Sequence, residues 1–412
     1  MKLTDAEQAL LDASEGKVRQ KAMELLVRYG EAVGAEKLIA TNNVCGDIRL
    51  EAVLSVFNRD SSEPMTFSPV KVFSCQMETS LDPEYWHLQG ATKEQYEAHA
   101  ANEAFAASSG VNQLCTCVPY LVGNVPVKGE HCAWQESSAA VYINSVLGAR
   151  TNGESSEITM AAMLTGKIPC WGLHLPENRL GKQLIDVEWE VESVLDWELL
   201  GYYSGQLVKK GRPVFYGIRH VPNLVRLKGL SAALQAAGSV ELFHIPGITA
   251  EVLTLHDAFG GKQPLDVLRF GKAERMLAYD MLNARVHIST VDLVILGCPH
   301  CSLEELWEIC RLLAGSKVHS NVSLWIVTPR ALKAVADRNG CTRMISEAGG
   351  VLMSDTCPVK SGLKPQGTKV VATNSAKQAH CLPGLLDVQC WFGSMADCIA
   401  AAVTGKWRGE LK

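Results

Sequence analysis

No run of about 18 consecutive apolar residues occurs in the 412-residue chain, so nothing in it reads as a membrane span. The opening residues, MKLTDAEQALLDASEG, lack the apolar segment of a secretory signal, and the chain is expected in the cytoplasm. Sustained basic runs are missing too. A net charge of −5 and a pI near 6.1 offer no electrostatic footprint for nucleic acid, so neither nucleic acid nor a membrane is an expected partner. A glycine-rich phosphate loop is also absent, which leans away from a phosphorylated substrate, and there is no low-complexity linker or convincing repeat. What remains is a globular composition, 47% hydrophobic and 20% charged, in a chain long enough for about two or three lobes.

Fourteen cysteines stand out against that background. A reducing compartment keeps thiols free, and Cys310, Cys390 and Cys398, in apolar or helical surroundings, read as small core residues. Cysteines on predicted loops are different. In VDLVILGCPHCSLEELWEI, the run from Val291 to Leu296 predicts a strand covered on both faces, Gly297 permits a tight turn, Cys298 follows, and Pro299 stops further pairing. Ser302 and Glu305 then form an S-x-x-E capping box for a helix whose face carries Leu303, Leu306, Ile309 and Leu312. In open α/β sheets ligands bind just past the carboxyl ends of strands, where this spacing puts Cys298.

Before that stretch, residues 4–36 predict a helix, 37–40 a short strand, and TNNVCGD a polar loop that either faces a site or simply turns. Residues 69–74 predict another strand, and Thr92 with Gln95 caps a long helix ending at Gly110. Cys115 and Cys117 are expected at the end of a short strand closed by Pro119. Helices over 136–146 and around Met160 then frame a polar loop, 148–154, dense enough in small and polar residues to suggest a pocket wall. A helix is expected over 186–201. RPVFYGI, LVRLKGLSAALQAAG and VELFHIPG follow as strand, helix and strand, and VSLWIVT, GGVLMSDTCPV and TKVVATNSAKQAH continue the alternation of parallel crossover units. The expected division is a mixed segment over 1–75, a lobe over 76–205, and α/β lobes over 206–412.

Cys117, Cys298 and Cys357 share a context: each lies at or just past a predicted strand end, with proline immediately or two residues after it. Three thiolates can hold an iron–sulfur cluster and leave one iron open to substrate; they also suit zinc. Cys301 is a further candidate ligand whose place at a helix start fits packing equally well. The pattern alone equally fits unrelated cysteines in a cysteine-rich chain.

The blocks TCVPYLVGNVPVKGEHCAWQESSA, NSVLGARTN, GCPHCSLEEL, SDTCPV and TNSAK, in that order, resemble the large subunit of aconitase X, a branch of the aconitase superfamily. The resemblance runs from about Asp82 to the carboxyl terminus. It implies an α/β fold of aconitase-like, multi-lobe architecture, with mixed or parallel sheets flanked by helices and without the swivelling domain. It also implies hydro-lyase chemistry, with Cys117, Cys298 and Cys357 holding an iron–sulfur cluster (2Fe-2S or 4Fe-4S) or a mononuclear iron. The first expected substrate is cis-3-hydroxy-L-proline, a small-molecule hydroxy acid. Mevalonate 5-phosphate is the alternative, and a non-catalytic iron-binding scaffold subunit is a third reading.

Removing water requires a Lewis acid on the hydroxyl, a clamp on the carboxylate and a base for the carbon-bound proton. Arg150, whose planar fork binds two oxygens, is the expected clamp, with a plain surface arginine as the alternative. His131 and Glu136 are expected to relay protons or orient a neighbour. Lys377, after Thr373, Asn374 and Ser375, is expected to steady a carboxylate or phosphate at a helix start. Asn144, Ser145, Thr151 and Asn152 are expected to hydrogen-bond substrate, and His300 to bond the cluster or the substrate. Gly153 to Ser156 and TNNVCGD depart from the family's pattern at places that bear on the substrate pocket. The chain ends at TGKWRGELK, where such large subunits end, so a separate small swivelling-domain subunit is the expected partner.

Overall fold

The computed structural model of the protein describes residues 1–57 and 68–412. Its largest sheet has five parallel strands in the spatial order Val351–Ser354, Ser323–Thr328, Leu293–Leu296, Val370–Thr373 and Gln389–Phe392. Leu293–Leu296 takes the middle because its side chains are apolar on both faces, and all four are fully buried. In chain order this strand comes first, the next two are laid down on one side of it, and the last two on the other. Winding therefore reverses between Leu293–Leu296 and Val370–Thr373, and such a reversal leaves a crevice at the carboxyl ends of the two strands. Cys298 follows one of them and Ser375 the other.

Two smaller sheets are also parallel. Asn43–Gly46 lies between Phe73–Gln76 and Ala133–Trp134, and Gln183–Val187 lies between Pro213–Tyr216 and Asp266–Phe270. Leu38–Ala40 and Lys167–Pro169 form a separate antiparallel pair. The first small sheet delivers Asp47, Glu78 and Glu136 one or two residues past its three strand ends. Its carboxyl edge meets that of the five-stranded sheet: Thr79 N donates to Asp355 O at 2.8 Å, Ser354 N to Asp82 Oδ2 at 2.6 Å, and Gln89 Nε2 to Thr356 Oγ1 at 2.8 Å. Two sets of strand ends thus face one another across one space. Among the described residues no helix is long and apolar enough to cross a membrane.

Both predicted capping boxes form, Thr92 with Gln95 and Ser302 with Glu305. Four expectations need correction. The single helix over 4–36 is two, Asp5–Leu11 and Lys17–Ala32, because Gly16 at φ +92° breaks the path. Residues 186–201 are not one helix: Gln183–Val187 is a strand paired on both sides, and the helix starts at Val194 behind the capping pair Ser193 and Asp196. VELFHIPG contributes only a single bridge, His244 to Val214, instead of a strand. Cys117 lies in an irregular loop ahead of Pro119–Leu121, not on a strand. The helix over 136–146 is Ser137–Tyr142, continuing through Ile143–Leu147 in a wider turn.

Candidate active site

Cys117, Cys298 and Cys357 share one electrostatic neighbourhood between the facing strand ends. Burial raises the Cys117 thiol, with Glu78, Glu136 and then the other two sulfurs adding to the effect. Burial also raises Cys298, and pushes Cys357 up to about 12, while Lys377 opposes the rise at both. Ser375 also opposes the rise at Cys298, and its hydroxyl accepts from Gln378 N at 3.2 Å to cap Ala376–Leu386. The helix that carries Lys377 is therefore capped by a residue whose hydroxyl also bears on Cys298.

Lys377 Nζ donates to Glu136 Oε1 at 2.8 Å and lies 3.4 Å from Ser138 Oγ. Burial works against the ammonium charge, but Glu136 and then the Cys298 sulfur more than restore it, and the lysine is held above its usual value. Burial likewise opposes the Glu136 carboxylate, and Lys377 outweighs it, so Glu136 stays ionised well below the usual range. Glu136 also accepts from Ser138 Oγ at 2.7 Å. Asn374, beside this group in sequence, has a buried Oδ1 with no hydrogen-bond partner.

Sequence reasoning missed three buried charged groups here. Glu78 sits against Glu136; burial first and Glu136 second push it up to about 8, and its Oε2 has no hydrogen-bond partner. Nothing in QMETS distinguishes it from a surface glutamate; only its place two residues past a strand end was readable. Lys228, inside the apolar helix Leu224–Gly238, donates to Pro299 O at 3.1 Å, His300 O at 2.9 Å and Glu305 Oε2 at 2.5 Å. A lysine on an otherwise apolar face was the available signal. Glu198 accepts from Ala376 N, bracing the start of the Lys377 helix from the far side.

The Cys298–Ser302 loop is held from every side. His300 N donates to Cys117 Sγ at 3.2 Å, tying the first and second candidate ligands. Its Nε2 faces Thr356 O at 2.8 Å, a group that only accepts, so Nε2 carries the proton and Nδ1 accepts from Thr116 Oγ1 at 2.9 Å. Burial pushes this imidazole down to about 4, and it is neutral. Cys301 N donates to Val327 O at 2.8 Å, and Thr373 Oγ1 donates to Gln378 Oε1 at 2.7 Å. Both ring nitrogens of His300 and the Thr373 hydroxyl are thus engaged within the protein.

Other predicted residues gather in a second cluster, outside these contacts. Arg150 donates through Nη1 to His174 O at 3.2 Å, and its buried Nε has no partner. His131 Nδ1 meets His174 Nδ1 at 3.0 Å, and burial, then Arg150 and Arg179, lowers its pKa. Asn144 Oδ1 accepts from Thr151 N at 3.0 Å and Arg179 Nη1 at 3.3 Å, while its Nδ2 donates to Thr151 O at 2.8 Å. Ser145 Oγ accepts from Phe243 N at 2.9 Å, Thr151 Oγ1 accepts from Trp134 N at 3.0 Å, and Asn152 Oδ1 accepts from Leu173 N at 2.8 Å. These side chains brace the 148–154 loop. Cys115 also belongs elsewhere, converging with Glu103 and Asp355 around Arg330.

Profiles of aconitase X domains match in tandem, the first domain over residues 1–177, the second over 181–280 and the third over 291–404. A phosphomevalonate dehydratase large subunit from Methanothermobacter thermautotrophicus is 37% identical, over 93% of this chain and 94% of that one. The chain belongs to the aconitase X family of hydro-lyases. Within that family, a cis-3-hydroxy-L-proline dehydratase from Pseudomonas aeruginosa is 34% identical over 97% of this chain and 70% of that protein. The crystal structure of Thermococcus kodakaraensis aconitase X in its holo-form superposes with a TM-score of 0.84 at 30% identity, covering 98% of this chain and 100% of that one.

Proposed function

We propose that this chain is the large subunit of a two-chain aconitase X dehydratase acting on a small hydroxy acid, with Cys117, Cys298 and Cys357 as the ligands of an iron–sulfur centre. This rests on the three thiols influencing one another electrostatically, on Lys377 opposing the rise at Cys298 and Cys357, and on the Lys377–Glu136 pair between two facing sets of strand ends. The donor set suits such a centre: three sulfurs on separate loops, beside a buried ammonium that offsets thiolate charge. When bound, the centre supplies a Lewis acid for the substrate hydroxyl. Lys377 offers its third N–H to the substrate carboxylate, and Glu136 with Ser138 fixes where the ammonium points. This reading gives Lys377, not Arg150, the clamp, because Lys377 faces the sulfurs. Ser375 orients Cys298, and Glu78 holds a proton beside Glu136.

For substrate, cis-3-hydroxy-L-proline comes first, because the chain is acidic overall and carries no glycine-rich phosphate loop. Mevalonate 5-phosphate is the second reading. It is favoured by the 37% and 36% identities to phosphomevalonate dehydratase large subunits from Methanothermobacter thermautotrophicus and Methanocaldococcus jannaschii, against 34% to the Pseudomonas aeruginosa protein. Arg49 and Lys360, 3.2 and 3.1 Å from Asp47, would be its cations. Dehydration assays on both compounds, with the small subunit present, separate the two. The ligand assignment is tested by iron and acid-labile sulfide content of anaerobically purified protein. Cys117→Ser, Cys298→Ser and Cys357→Ser should each lose both, and Cys341→Ser should keep them; equal metal in all would sink the assignment.

A further inference from the structure

All fourteen cysteines are free, and two pairs outside the proposed ligand triad are neighbours in the fold. Cys45 and Cys75 pair across neighbouring parallel strands, fully buried. Cys310 Sγ donates to the Cys341 carbonyl oxygen at 3.8 Å, between the helices Leu303–Leu313 and Cys341–Ala348. Access separates the pairs. Cys310 is buried, but Cys341 is half-exposed, and both line an open groove of about 480 Å³ with Leu303, Leu306, Trp307 and Met344. Trp307, 62% exposed, leaves the groove mouth open to solvent.

We propose that Cys310 and Cys341 form a dithiol site for exchange with low-molecular-weight disulfides of the glutathione class, separate from the metal-ligand thiols. Cys341, the accessible member, attacks one sulfur of the incoming disulfide; that S–S bond breaks, one thiolate leaves and takes a proton, and a mixed disulfide remains on Cys341. Cys310 then gives up its proton, attacks the Cys341 sulfur and expels the second thiol. Two protein thiols and one small disulfide become one protein disulfide and two small thiols. The bond would join two helices that flank the ligand loops. Leu303–Leu313 follows the Cys298 loop, and Cys341–Ala348 leads through Val351–Ser354 to Cys357.

The test is peptide mapping after alkylation of the full-length protein, incubated with oxidised glutathione. A Cys310–Cys341 disulfide should form while Cys45 and Cys75 stay reduced, dithiothreitol should reverse it, and the bridged form should melt at a higher temperature. In Cys310→Ser, Cys341 should retain a glutathione adduct, and in Cys341→Ser, Cys310 should stay unmodified. Wild-type protein that never forms the bridge overturns the proposal, whichever other cysteines react. So does a Cys341→Ser variant whose Cys310 is glutathionylated.

Discussion

Glu154 is a carboxyl with one half-satisfied oxygen and one orphan: Asn152 Nδ2 lies 3.4 Å from Oε1, and buried Oε2 has no partner. Burial, with Glu241 adding to it, raises its pKa from 4.5 to about 7. The folded chain therefore keeps a proton there that the unfolded chain releases near pH 4.5. Its contribution to stability is full below that pH and is lost as the pH rises through about 7. Glu154→Gln should remove this titration, so the stability difference between wild type and variant should shift by about 3 kcal/mol across that window. Urea unfolding from pH 4.5 to about 8 measures it, and parallel curves would refute the raised pKa. Cys298 and Cys357 could be singled out because proline after a strand-end cysteine is a local pattern, whereas Cys117, in an irregular loop, was picked out by the proline two residues on. Glu78 and Glu154 were not, because their surroundings are assembled from residues far away in the chain.

The Cys298–Ser302 loop depends on a lysine from another helix. Replacing Lys228 by Met would strip two carbonyls of their donor and leave Glu305 buried without its cation, at a cost of roughly 3–5 kcal/mol. The expected result for Lys228→Met is a lower unfolding midpoint together with reduced iron content, since the same contacts position Cys298. Full iron loading in a destabilised variant would mean that the loop holds its shape without them. The central strand, the capped helix after it and the parallel alternation were readable from apolar runs and short-range spacing. The strand Gln183–Val187 was not: its partners Pro213–Tyr216 and Asp266–Phe270 are distant in sequence, and a half-exposed strand carries a weak alternating pattern.

At the scale of the molecule, the proposed large subunit supplies metal ligands and a carboxylate clamp, and the base for the carbon-bound proton is expected from the small subunit. Turnover by this chain alone should be near background and should rise when the small subunit is added; full activity of the isolated chain would refute a two-chain enzyme. The alternation of elements let the sequence foretell parallel sheets, yet it could not foretell that two sheets would present their carboxyl edges to each other. That meeting has a consequence for biosynthesis. His300 N reaches Cys117 Sγ across 183 positions of chain. A ribosome therefore releases Cys117 long before Cys298 and Cys357, and no earlier fragment holds all three proposed ligands. An iron centre held as proposed could thus be completed only late in translation, after Cys357 has been made.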